Sequence, residues 1–124
     1  MEAWELIRRL LAGATGPGRT FTVSIISGDY HRDLVNQGIE VRISKQELLE
    51  VAEEFAESML NIGLICISGV RQGGPAILGS KERTEFGDEL YQRLCGRDVI
   101  SVFEGMHVDL DAGDIRRVLH QFNS

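Results

Sequence analysis

The chain has 124 residues, 43% of them hydrophobic and 26% charged, with a formal net charge of −6. That length and balance suit one folded domain, residues 1–124, with a real core, and argue against disorder. No run of Lys and Arg and no aromatic platform offsets the acidic charge, which excludes direct nucleic-acid binding as the main role, and no apolar run approaches the roughly 20 residues that span a bilayer.

The first residues, MEAWELIRRLLAG, do not read as a signal peptide, because they begin acidic and carry arginines inside the apolar stretch. They read as an amphipathic helix with Trp4, Ile7, Leu10 and Leu11 on one side and Glu5 near Arg8 and Arg9. Its polar face is too nearly neutral for a membrane surface, so it serves core packing or a dimer contact. Residues 13–18, rich in glycine, form a flexible loop by composition. Residues 20–27 alternate as a strand, Gly28-Asp29 is a turn, and residues 30–37 are loop or an irregular strand extension. After Gly38, Ile39, Val41 and Ile43 alternate with Glu40 and Arg42 as a half-wet strand.

The clearest element is the helix over 44–61. Ser44 with Glu47 three residues on is a capping box. Behind it Leu48, Val51, Ala52, Phe55, Met59 and Ile62 recur at helical spacing, widened by Leu49, Ala56 and Leu60, and Gly63 ends the run. The opposite face holds Glu47, Glu50, Glu53, Glu54 and Glu57 against the single base Lys45. Neighbours at three and four residues repel by a few tenths of a kcal/mol, about 0.2–0.5 per pair. Such a face either stays wet or docks a basic partner that relieves the repulsion.

Residues 64–68 read as a central strand, 69–75 as a turn, and 76–78 as a short run able to pair back in a hairpin. Ser80 is placed to cap a helix over 81–94 with Phe86, Leu90, Leu94 and Tyr91 inward, weakened by Gly87 by about 1 kcal/mol relative to alanine. Residues 98–103 and 106–110 read as strands around a Glu104-Gly105 turn, and Asp111 caps a last helix with Ile115, Val118, Leu119 and Phe122 buried. The expected fold is therefore α+β, a mostly antiparallel sheet of about five to six strands with helices packed on it, in the order α-ββ-α-ββ-α-ββ-α.

Motif look-alikes fail on named positions. Gly74 to Lys81 resembles a phosphate loop, but Ser80 and Lys81 stand in reversed order and Pro75 removes an amide. Glycine amides with Arg71, Lys81 and Arg83 could still hold a small anion at a helix start. His31-Arg32-Asp33-Leu34 spells the opening of a kinase catalytic loop, without its asparagine or any other kinase element. Tyr30, His31 and Arg32 would instead form an exposed contact loop. His107 and Asp109 would share one face of a strand, yet the acids that follow do not match a calcium loop. No catalytic residue, metal or cofactor is assigned, and Cys66 and Cys95 read as free buried thiols in a reducing cytoplasm.

Two functions follow. One is a small acidic binding module that covers a basic protein, such as an immunity protein or inhibitor of a toxin nuclease. The other is a small enzyme or ligand-binding domain with its site near Arg71, Lys81 and Arg83, or near His107 and Asp109. A homodimer through the Trp4 helix or a sheet face is compatible with either.

Overall fold

A computed structural model describes residues 2–16, 18–38, 42–69, 73, 77–96 and 99–123. It overturns the sheet-based expectation. Among the described residues the chain forms helices α1 (Ala3–Gly13), α2 (Val23–Asn36), α3 (Lys45–Asn61), α4 (Glu85–Leu94), α5 (Val99–Gly105) and α6 (Ala112–Asn123), with one two-stranded hairpin, β1 (Ile65–Ser68) and β2 (Ile77–Arg83). No helix among them is long and apolar enough to cross a membrane.

The element at the centre is α1. Leu6, Ile7, Leu10 and Leu11 are all at most 1% exposed, and the helix packs on α2, α3, α4 and α5. Each such side chain contributes roughly 1.5–3 kcal/mol by leaving water. Trp4 is buried as well, at 3% exposed, so this face packs into the core. Because Glu2 supplies no side-chain cap, the amino end of α1 is satisfied from far away: the Trp4 amide donates to Glu104 Oε1 at 2.7 Å.

Glu5 organises the polar edge of α1, accepting from Arg8 at 2.6 and 2.9 Å and from Arg9 at 3.0 Å. Burial pushes its carboxyl pKa up, but the arginine hydrogen bonds and charges outweigh burial and hold it below the ordinary 4.5. A depressed folded pKa gives stability that is present above the unfolded value and lost as pH falls through the folded one. Urea stability should therefore fall below about pH 4.5. Half-buried Asp114 is lowered too, by the Asp109 amide and then Arg117, so both acids feed that slope. Glu5→Gln isolates the first: it should cost about 1 kcal/mol at neutral pH and flatten the acid limb. An unchanged acid limb would show that Glu5 carries none of it.

Most of the region expected as strand and loop over 20–37 is helix α2, from Val23 to Asn36. The alternation of Phe21, Val23 and Ile25 was matched by a second, helical pattern: Ser27, Tyr30 and Leu34 are buried, with Val23 and Ile26 packed beside them, while Ile25 is 61% exposed. Burial of that stripe against α1 and α3 overrides the strand preference of β-branched residues. Of the strand expected over 39–43, residues 39–41 lie outside the described residues, and Arg42 and Ile43 are not in a strand.

Helix α3 forms as expected. Ser44 Oγ accepts from the Glu47 amide at 3.1 Å, and Glu47 Oε1 accepts from the Ser44 amide at 3.5 Å. It closes in a Schellman turn, with the Leu64 amide on Met59 O at 2.9 Å, the Gly63 amide on Leu60 O at 3.3 Å, and Gly63 at φ +85°. Leu48, Ala52 and Met59 are buried.

The chain then enters β1, which pairs antiparallel with β2 in the register Ile65↔Arg83, Cys66↔Glu82, Ile67↔Lys81, with a shift before Ser68↔Ile77. Thus the hairpin is real, but Ser80 and Lys81 belong to its second strand and not to a helix. Helix α4 begins later, capped by Thr84, whose Oγ1 accepts from the Gly87 amide at 3.1 Å. The glycine-rich stretch after α1 lies along the free edge of β2 and is tied there: Arg83 N to Ala14 O (3.1 Å), Gly16 N to Lys81 O (2.9 Å), Phe21 N to Gly79 O (2.8 Å) and Ser80 Oγ to Arg19 O (2.9 Å).

The last expected hairpin is also helix and turn. In α5, Val99, Ile100 and Phe103 share the inward face and Val102 points out, a helical spacing that a strand would split between two faces. Residue 98 lies outside the described residues, and residues 106–110 form no strand. Asp111 does cap α6, its Oδ2 accepting from the Asp114 amide at 3.1 Å, and Ile115, Val118 and Leu119 are buried.

Candidate functional site

The glutamate face of α3 is intact. Glu47, Glu50, Glu53, Glu54 and Glu57 are all exposed, and none forms an ion pair with a described residue. Glu47 is held by the capping box, and Glu50 accepts from Gln46 at 3.5 Å. Glu53, Glu54 and Glu57 have no hydrogen-bond partner among the described residues. Exposed Leu60 follows them by one turn. The arrangement is a row of negative charge one helix long, with its repulsion uncompensated.

The expected contact loop does not exist as a loop. Tyr30, His31 and Arg32 lie on α2, where helical geometry sends neighbours in different directions. Tyr30 is 3% exposed. Its hydroxyl accepts from the Glu2 amide at 2.9 Å and donates to Glu2 O at 3.3 Å, while the Arg9 guanidinium lies 4.7 Å from the ring centre. Burial pushes its phenol pKa above 10.0. Tyr30 is thus part of the core, whereas His31 is half-buried and Arg32 is exposed, 3.3 Å from Asp29.

Of the anion site expected near the second strand, the structure describes Lys81 and Arg83. Arg71 lies outside the described residues. Arg83 is engaged structurally: it pairs with Asp88 at 2.7 Å, donates to Leu11 O at 2.7 Å and stacks 4.3 Å from the Tyr91 ring centre. There it satisfies a carbonyl at the carboxyl end of α1, where positive charge is favoured. Lys81 lies 5.9 Å from the Phe21 ring centre. The helix start that was to complete the site is absent at Lys81, since β2 runs through it.

His107 and Asp109 share no strand face. His107 is exposed with φ +52°, and the Asp109 amide donates to Asp114 Oδ2 at 2.8 Å. No group of three His, Cys, Asp or Glu able to hold a metal occurs among the described residues. Neither cysteine forms a disulfide; Cys66 is half-buried, and Cys95 is exposed where burial was expected. Its hydrogen bond to Tyr91, followed by burial, pushes the Tyr91 phenol pKa up.

An open groove of about 750 Å³ runs between α2 and the amino end of α3, lined by Ile25, Gly28, His31, Lys45 and Leu49 among others. A second lobe of about 670 Å³ shares His31 and Lys45 and adds Arg42 and Val35. The lone base Lys45 was visible in the sequence. Its neighbours were not, because alternation places Arg42 on a strand and composition places His31 in a loop.

The class defined by these observations is a small, mostly helical domain with one short β-hairpin and an acidic helix face. No family model matches the chain, and no solved structure matches it significantly. It is similar to the putative ribose/galactose/methyl galactoside import ATP-binding protein 2 of Burkholderia cenocepacia (strain HI2424) and to the protein of that name from Burkholderia orbicola (strain AU 1054). Each is 27% identical over 106 residues, covering 82% of this chain and 20% of the relative. The chain therefore spans about a fifth of the length of these curated relatives.

Proposed function

We propose that the chain is a small acidic protein-binding module that docks a basic protein surface on the glutamate face of α3. The observation that carries this reading is the exposed row Glu50, Glu53, Glu54 and Glu57 without ion pairs among the described residues. A cationic partner relieves like-charge repulsion, speeds encounter and makes it salt-sensitive. An inhibitor or immunity protein that covers a toxin nuclease is one concrete form of such a module. A reducing cytoplasm suits two cysteines that form no disulfide.

The test starts with capture of the partner from the native cell and its identification by mass spectrometry. With that partner, the triple variant E50K/E54K/E57K should associate about tenfold more slowly or worse and lose most of its salt dependence. An unchanged association rate and salt slope would remove this face from binding.

The likeness to two import ATP-binding proteins supports a second reading, a ligand-binding domain that takes a nucleotide. Against it stands the position of Ser80 and Lys81 inside β2, with no helix starting behind Gly79. MgATP should raise the melting temperature under this second reading and leave it unmoved under the first.

A further inference from the structure

We propose that the groove between α2 and α3 binds a small amphiphilic anion, a phosphate monoester or carboxylate with a short apolar body, from free solution. This goes beyond the docking face, which lies further along α3. The groove has a volume of about 750 Å³, within the range of small-molecule sites.

Its charge is opposite to that of the chain. Lys45, Arg42 and His31 have no hydrogen-bond or ion-pair partner among the described residues. The acids nearby are engaged: Asp29 is paired with Arg32 at 3.3 Å, and Glu47 Oε1 faces the Ser44 amide at 3.5 Å. Counting Lys45, Arg42 and Arg32 against Asp29 and Glu47, with His31 neutral, the two lobes carry one positive charge in excess on a protein whose net charge is −6.

The placement of Lys45 has a structural cause. Its stem lies across α2 at Gly28, where an added Cβ would stand 3.3 Å from Lys45 Cε and 3.8 Å from Nζ. The missing side chain leaves room for the lysine between the helices, with Nζ beside the groove and His31 one turn further along α2. Ile25, 61% exposed, and half-buried Leu49 supply the apolar wall. An anionic head on Lys45 and His31 with a short hydrocarbon body along Ile25 and Leu49 satisfies both halves of this lining.

Amide NMR titration of the full chain with hexyl phosphate tests the proposal, with inorganic phosphate and hexanol as the two halves of the probe. Hexyl phosphate should shift the amides of residues 24–32 and 44–49 saturably, and each half alone should bind about tenfold more weakly or worse. Lys45→Ala, at an exposed first-turn position that tolerates alanine, should weaken hexyl phosphate about tenfold, and Arg42→Ala should do so to a smaller degree. Amides that do not move overturn the proposal. So does hexanol that binds as well as hexyl phosphate, or a Lys45→Ala protein with an unchanged spectrum and unchanged affinity.

Discussion

Gly87→Ala should destabilise the protein by about 3 kcal/mol, opposite in sign to its effect in an isolated helix. Gly87 sits in the first turns of α4, where propensity alone favours alanine by about 1 kcal/mol. But a Cβ there would lie 1.8 Å from Leu64 O, 2.9 Å from Leu64 C and 3.4 Å from Leu64 Cα. These are backbone atoms of a fully buried residue at the entrance to β1, and they cannot rotate away.

The same carbonyl accepts the Thr84 amide at 3.1 Å and Thr84 Oγ1 at 3.2 Å, and Thr84 in turn caps the Gly87 amide. Relieving the overlap means sliding α4 off β1, which breaks that cluster. Overpacking costs about 1–3 kcal/mol, and each lost hydrogen bond adds about 1. Chemical denaturation should show the loss directly, and thermal melting should show a drop of roughly 10 °C. A neutral or stabilised variant would mean that α4 and β1 do not approach this closely.

Phe103→Ala should cost about 4 kcal/mol and release α5. The Phe103 ring is fully buried and meets Trp4 edge to face, with centroids 4.9 Å apart at 69°. The Trp4 indole also donates to Val108 O at 3.3 Å, and the Trp4 amide holds Glu104. One side chain thus fastens a seven-residue helix to the central one. A helix that short has no stability of its own, so losing the anchor frees the whole segment.

Trp4 is the single tryptophan, which gives a local readout: its emission should shift to the red, beside the fall in denaturation midpoint. Phe103→Leu should cost less, about 1.5 kcal/mol or below, because it keeps most of the volume. A loss under 1 kcal/mol for the alanine variant would contradict the packing of α5 on α1.

Some elements were determined by the sequence alone, because their signals are local. The capping box and glycine stop of α3 act within one turn, and the Glu5–Arg8–Arg9 cluster on α1 spans three and four residues. The cap at Asp111 depends on neighbours along the chain in the same way, whereas the hairpin was legible only in its first half, since β2 runs on to Arg83 through residues expected in a helix. The glutamate face belongs with them, since its register follows from the helix itself.

What only the tertiary structure decided is where short β-branched runs go. Residues 23–36 and 99–103 include strand-like β-branched runs, yet a strand needs a partner to satisfy its amides and a helix does not. As helices they satisfy their backbones internally and lay Tyr30, Leu34 and Phe103 on the core. The same packing gave Gly87 and Gly28 their roles, one against Leu64 O and one beneath Lys45. It set Arg83 at the end of α1, on Leu11 O. It also joined Lys45, His31 and Arg42 across two helices, a meeting written in no local pattern of residues.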